Sequence, residues 1–165
     1  VWEGGHRVPF IVSWPEVIEP GGVNELLVHQ ADFMATFAEL WKMDLPENAG
    51  EDSFSLLPLL EGGTEPIRET SVSCSSKGIP SMRMGSWKYI AAPGSGGWTQ
   101  GGNPNEPVQL YDLAADLGEQ NNLASAESEI LTKIQARFEE EISRGRSTPG
   151  PEQENDGEVK RYPQP

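Results

Sequence analysis

Apolar and polar positions change their rhythm several times along the chain. Residues 8–12 (Val-Pro-Phe-Ile-Val) form a nearly unbroken apolar run between Gly4-Gly5 and Pro15. Short, β-branched and continuous, such a run predicts a strand buried on both faces, as in a parallel sheet. Pro9 falls at its start, where a missing N–H is tolerated. Residues 25–29 predict a second short strand. From Asp32 the period becomes helical. Phe33, Phe37, Leu40 and Trp41 share one face, and Asp32 is placed to cap the first turn with its side-chain oxygen. One longer helix starting at Glu25 fits the same periodicity. Ser55 is placed to cap a helix of one to two turns over residues 56–60, which Gly62-Gly63 stops.

Beyond Glu69 short alternating segments predict strands over residues 70–75, 81–84, 87–90 and 108–113. Gly85-Ser86 separates two of them, and glycine at the first of two central positions is the signature of a type II′ hairpin. Residues 93–107 are a Gly/Asn/Pro loop and residues 116–122 a turn. The last helix is expected over residues 126–143 with Ser125 as its cap. Ile130, Ile134, Phe138 and Ile142 recur every fourth position, with Leu131 beside them. Glu127 and Glu129 suit the positive end of the helix dipole, Arg144 the negative end, and Gly145 the stop. That helix should cover one face of an antiparallel sheet. After Ser147 the chain is rich in Pro, Glu, Gln and Asp without apolar periodicity, and a flexible tail is expected. The predicted organisation is therefore residues 1–68, residues 69–146 and a tail, 147–165. A strand buried on both faces at residue 8 needs neighbours on both sides. With no initiator Met, the chain is expected to be the back part of something longer.

The formal net charge of −14 over 165 residues argues against nonspecific binding to nucleic acid or to anionic membrane, which both require a basic surface. No apolar run approaches the ~18 residues of a membrane-spanning helix. A lone cysteine, Cys74, excludes an internal disulfide framework and is expected to be a small buried hydrophobe. The acidic charge is not evenly spread. Residues 71–105 contain no Asp or Glu but hold Lys77, Arg83 and Lys88, together with Trp87 and Trp98. A locally basic, glycine-rich segment suits an anionic ligand, and an aromatic on its loop suits stacking against a sugar or aryl face. Lys77, Arg83 and Trp98 are therefore candidate substrate-binding residues; the alternative is a solvated hairpin.

Four segments carry a resemblance. Glu3-Gly4-Gly5-His6-Arg7-Val8-Pro9-Phe10-Ile11-Val12-Ser13-Trp14-Pro15 resembles the EGG-x-R-x-P-x-I-x-x-W-P segment of the type I, formylglycine-dependent sulfatases. Asp32 to Thr36 resembles that family's Asp-x-x-x-Thr helix start, and Ser55-Leu56-Leu57-Pro58-Leu59-Leu60 its Ser-Leu-Leu-Pro-Leu-Leu segment. Leu110-Tyr111-Asp112-Leu113, followed by Gly118-Glu119 and Asn122-Leu123, resembles Leu-Tyr-Asp-Leu…Asp-Pro-x-Glu…Asn-Leu. The four occur in the family's order between Val1 and about Gly150. The resemblance implies the C-terminal portion of an alkaline-phosphatase-like α/β fold: the end of the large α/β domain, then a small antiparallel sheet with a packed C-terminal helix.

The implied reaction is hydrolysis of a sulfate ester, with the sulfated substrate a small molecule or carbohydrate. The implied cofactors, a formylglycine and a divalent cation, usually Ca²⁺, are expected upstream of this chain. Cys74 is followed by Ser75-Ser76-Lys77 and does not match the Cys/Ser-x-Pro-x-Arg motif that is converted to formylglycine. No catalytic or metal-ligating residue is expected here, and the partner expected is the missing N-terminal part of the same polypeptide. Asp112, Asp116, Glu119 and Asn122 are oxygen-rich, but without EF-hand spacing they read as turn residues. His6 follows the position of the family's sulfate-binding Lys and is the fourth candidate substrate contact. A periplasmic or secreted location is what the family suggests. The alternatives are a phosphate or phosphonate monoesterase of the same superfamily, and a non-catalytic folding or binding module left from a truncated sulfatase.

Overall fold

The computed structural model describes residues 1–99 and 102–161. It contains a four-stranded antiparallel sheet in the order β1-β2-β3-β4. The strands are β1 (Thr70–Cys74), β2 (Pro80–Met84), β3 (Trp87–Ile90) and β4 (Gln109–Asp112). Gly85 adopts φ +60 between β2 and β3, the left-handed geometry that a type II′ turn needs at its first central residue. The turn sets the register, pairing Met84 with Trp87 and Arg83 with Lys88. Because side chains alternate across a strand, this register sorts the sheet into two faces.

One face carries Met82, Tyr89 and Leu110, which close with Ile134 and Phe138 into a buried core. The last two belong to helix α4 (Ser128–Arg144), and the Tyr89 and Phe138 rings meet edge to face at 5.7 Å. The helix begins at Ser128 rather than at residue 126. Leu123 first accepts the N–H groups of Ala126 and Glu127 in a separate turn, so Ser125 does not start it. The opposite face carries Ile90 and Tyr111, which pack with Ile79, Ala92 and Leu113 and are covered by Val1 and Trp2. Trp2 leads into helix α1 (Glu3–His6).

The chain separates into two compact units, each discontinuous in sequence. The first joins Val1–Val8 to Val72–Ser143 and to the described residues from Asn155 on; the second joins Pro9–Ser71 to Arg144–Glu154. Within the second, helix α2 (Phe33–Leu40) and helix α3 (Leu57–Leu60) are held by polar ties. Asp32 is fully buried but does not cap α2: its carboxylate pairs with Arg68 at 3.2 Å and accepts the N–H of His29 and of Phe54. The capping oxygen is that of Ser53, which accepts the Ala35 N–H at 2.8 Å. Thr36 passes a hydrogen bond from Leu56 N–H on to the Asp32 carbonyl.

Three further expectations fail here. Residues 8–12 form no strand: Phe10 is half-exposed and Ile11 is 89% exposed, since no neighbouring strand pairs with them among the described residues. Residues 25–29 are irregular and lead into a 3₁₀ turn, Gln30–Asp32, closed by a capping box between His29 and Asp32. The supposed tail is pinned at its start. Thr148 donates to the Glu51 carbonyl through both its N–H and its hydroxyl, and the buried Arg146 donates to the carbonyls of Glu47 and Pro151. Further on, Arg161 pairs with Glu139 of α4 at 2.6 Å.

Candidate functional site

The first unit buries a cluster of charge on the sheet face opposite α4. Lys88 projects from β3 and is 1% exposed, in a strand whose two faces are both covered. A buried ammonium requires paired acids. It has two: the Glu3 and Glu119 carboxylates each place Oε1 at 2.9 Å from Nζ. Glu119 also turns Oε2 to the Glu3 backbone N–H at 2.5 Å, satisfying a donor at the start of α1. It does so from a left-handed backbone, φ +53, which is uncommon for a residue with a side chain.

His6 closes the cluster, its Nε2 lying 3.2 Å from Glu3 Oε1. The hydrogen bond from His6, and after it the bond and charge of Lys88, hold the Glu3 carboxyl down to about 2 against the cost of burial. An ionised carboxylate only accepts, so Nε2 carries a hydrogen in this contact. The ring's Nδ1 is buried without a hydrogen-bond partner among the described residues. Arg7 lies 3.8 Å from Glu3 but is mostly exposed, a contact that water screens.

Beside this cluster a second polar junction fixes the glycine-rich loop. The Gln109 side chain donates to the carbonyls of Ala92 and Gly94 and accepts from Trp2 Nε1 and from the Tyr111 hydroxyl. Burial, then the charges of Glu119, Glu106 and Asp116, push the Tyr111 phenol up to about 12, so it stays a donor. Gly96, at φ +60, lies so close to Ile79 and Ser75 that a Cβ there would collide with both. The loop bearing Trp98 therefore rests on the Ser75–Ile79 turn that bears Lys77.

The four candidate contacts are thus sorted by the sheet. Trp98 is 95% exposed and Lys77 exposed, on adjoining loops at one end. Arg83 sits four residues beyond Ile79, about 13 Å along the strand, and spends its Nε–H on the Gly85 carbonyl. His6 belongs to the buried cluster. The basic island is weaker than its composition implies, because Lys88 is neutralised by acids from outside the window.

Sequence reasoning read Lys88 as a base of the island and Glu119 as a turn residue, and did not join them to Glu3. A lysine two positions from Ile90, in a strand apolar on both faces, was the available signal. Asn122 explains the Asn of the same motif: its side-chain oxygen accepts the N–H of Leu110 and of Ala124.

The oxygen-rich turn and Cys74, the candidates for a metal or a formylglycine among the described residues, do not fit either group. Asp112 and Asp116 turn their carboxylates to nearby backbone N–H groups, and no three His, Cys, Asp or Glu side chains among the described residues are placed to hold a cation. Cys74 is exposed at the end of β1, not buried, and partial desolvation raises the pKa of its thiol, away from an activated thiolate. Among the described residues no helix is long and apolar enough to cross a membrane.

Comparison with known proteins agrees with this geometry. The chain is 38% identical over 143 residues to the N-acetylgalactosamine-6-O-sulfatase of Bacteroides thetaiotaomicron, a match covering 84% of this chain and 28% of that protein. It is 33% identical over 153 residues to human arylsulfatase A, covering 81% of this chain and 30% of that one. A solved structure from work on glycosaminoglycan metabolism by Bacteroides thetaiotaomicron superposes with a TM-score of 0.73 at 33% identity, over 84% of this chain and 29% of that chain. No protein-family model matches the chain. The chain spans less than a third of the length of these relatives.

Proposed function

Because this chain belongs to the sulfatase family, we propose that it works as one part of a longer polypeptide that hydrolyses a sulfate ester, the ester being carried by a carbohydrate. The observation that supports this most is the extent of the match to the N-acetylgalactosamine-6-O-sulfatase, joined to the buried setting of its Glu-Gly-Gly-His turn. Any formylglycine and divalent cation would be held by residues of the remainder of the polypeptide and would supply the nucleophile and the charge that orients the sulfate.

This chain's own contribution is the wall beside that chemistry. His6 contributes a partly exposed ring held by Glu3. Trp98 offers an indole face to a sugar ring, and Lys77, on the adjoining turn, a charge that attracts the anion. Arg83 stands apart from Lys77 and Trp98; it donates to the Gly85 carbonyl and pairs across the sheet with Lys88. The remainder of the polypeptide would also cover the apolar row of the second unit. There Phe10, Phe33, Phe37 and Trp41 follow one another at centroid distances of 5.5, 6.1 and 5.5 Å, and Trp41 is 66% exposed. A row of that kind is what a missing layer of an α/β domain would bury.

The test is sulfate release by the longer polypeptide from an aryl sulfate and from 6-O-sulfated N-acetylgalactosamine. Release from either above a heat-treated control supports the reading. Release of phosphate from an aryl phosphate, with none of sulfate, would replace it with a phosphatase.

A further inference from the structure

We propose that Glu119 and Lys88 are positioning residues that act through Glu3 to hold the His6 ring in the orientation it presents to substrate. This rests on the sulfatase reading above and extends it to residues that touch no substrate themselves.

Three charged groups from distant points of the chain meet at one buried place. Lys88 Nζ lies 2.9 Å from Glu3 Oε1 and 2.9 Å from Glu119 Oε1. Glu119 reaches the Glu3 backbone N–H with its other oxygen. Both the side chain and the backbone of Glu3 are therefore gripped from the sheet side. Glu3 Oε1 in turn holds His6 Nε2, three residues on in the same helical turn. The ring's direction follows from the position of that one oxygen, and with it the direction of the buried, unpartnered Nδ1.

Simple packing would not require this arrangement. Apolar residues of similar size commonly replace buried ion pairs without loss of stability. Glu119 further accepts a left-handed backbone at a residue with a side chain, and such strain persists where surrounding contacts over-determine the geometry, often at functional sites. The Gly118-Glu119 piece of the fourth matching segment, 116 residues from Glu3, thus acts on the Glu-Gly-Gly segment. The sheet serves as the rigid frame between them.

The experiment has two arms. In the longer polypeptide, kcat and KM for an aryl sulfate are measured for Glu119→Gln, His6→Ala and the double variant, with Glu119→Asp, shorter but still charged, as a second probe. Glu119→Gln keeps an oxygen for the Glu3 N–H and removes the charge facing Lys88. It should lower kcat about tenfold or more with KM within about threefold. In the His6→Ala background the same change should alter kcat by less than about twofold, since a residue acting through the ring has nothing left to act on. Equal losses in both backgrounds would show a structural role alone and overturn the proposal.

The second arm needs no activity. Ring ¹⁵N shifts of His6 in the 165-residue chain should show the hydrogen on Nε2. Glu119→Gln and Glu119→Asp should both move that signal, while the near-ultraviolet dichroism of the Tyr89–Phe138 core stays unchanged. An unmoved ring overturns the proposal whether or not the longer polypeptide is a sulfatase. A moved ring in an inactive polypeptide keeps the positioning geometry and removes only the sulfatase reading.

Discussion

The two units use similar residues to opposite ends. In the first, the apolar side chains of the sheet are covered on both faces, by α4 on one and by Val1 and Trp2 on the other, and Lys88 meets two acids. In the second, the buried apolar residues among those described are only Ala38, Leu56 and Leu57. Its ties are largely polar: Asp32 with Arg68, Ser53 with Ala35, Arg146 and Thr148 with residues 47–51. Several of its large apolar groups, Phe10, Phe37 and Trp41 among them, are exposed. The contrast teaches that closure is local to the sheet, whereas the helical unit has its polar framework in place and its apolar face open. A face of that kind gains stability only from what covers it.

The sharpest test of the contrast is activity. If the chemistry lies in what covers the open face, the 165-residue chain shows no turnover of an aryl sulfate above a heat-treated control, with Ca²⁺ supplied. Measurable turnover would place a nucleophile within this chain and undo the division of labour.

Paired substitutions give the next largest effect. Phe138→Ala empties a buried site against Tyr89 and should destabilise the first unit by about 3–5 kcal/mol. Phe37→Ala, in the exposed row, should change the isolated chain's stability by under about 0.5 kcal/mol. Urea unfolding followed through tyrosine and tryptophan signals would measure both, and comparable losses would mean the row is already covered.

Much of the first unit was legible because its determinants are local. The β2–β3 hairpin follows from Gly85 and two flanking strands, and α4 from a four-residue repeat ending at Gly145, whose φ is +64. What escaped was non-local. Residues 8–12 have the composition of a buried strand, yet strand structure needs a neighbour to accept its hydrogen bonds. Asp32 looks like a helix cap, but Arg68 and Phe54 compete for its oxygens and Ser53 takes its place. The segment around Arg146 lacks periodicity because hydrogen bonds to carbonyls some 100 residues earlier hold it, and no local pattern encodes these. In the site, His6 and Trp98 stood out by residue type. Lys88 was counted as a free base, since its acids lie 85 and 31 positions away.

Acid separates the units next. Glu3 sits at about 2 when folded and would return to about 4.5 on unfolding. A depressed folded value means the stabilisation is fully present above about 4.5 and is lost as pH falls towards 2. Its size is on the order of 3 kcal/mol. Thermal melts of the first unit's signal should therefore fall between pH 4.5 and 2, and Glu3→Gln should flatten that fall. A variant that keeps the full slope would assign the acid sensitivity to other carboxylates.

The smallest expected effects concern the exposed rim of the first unit, Lys77 and Trp98. Both lie at the same end of the sheet, Trp98 on a loop seated by Gln109 and Gly96, Lys77 on the turn beneath it. An exposed charge acts on an anionic substrate through its field, and salt screens that field over about 8–10 Å at ordinary ionic strength. Lys77→Ala in the longer polypeptide should therefore lower kcat/KM about two- to fivefold at low salt and much less at 0.5 M salt. Trp98→Ala should raise KM for a sulfated sugar by a similar factor at both salt concentrations, because stacking is not a charge effect. Arg83→Ala serves as the control. Arg83 sits at the far end of β2 and is bound to the Gly85 carbonyl, so it should leave kcat/KM unchanged and cost only a little hairpin stability. If Lys77, Arg83 and Trp98 variants all match the unchanged protein within about twofold, worth ~0.4 kcal/mol, the rim is a solvated hairpin. The first unit's contribution would then rest on the buried cluster around His6 alone.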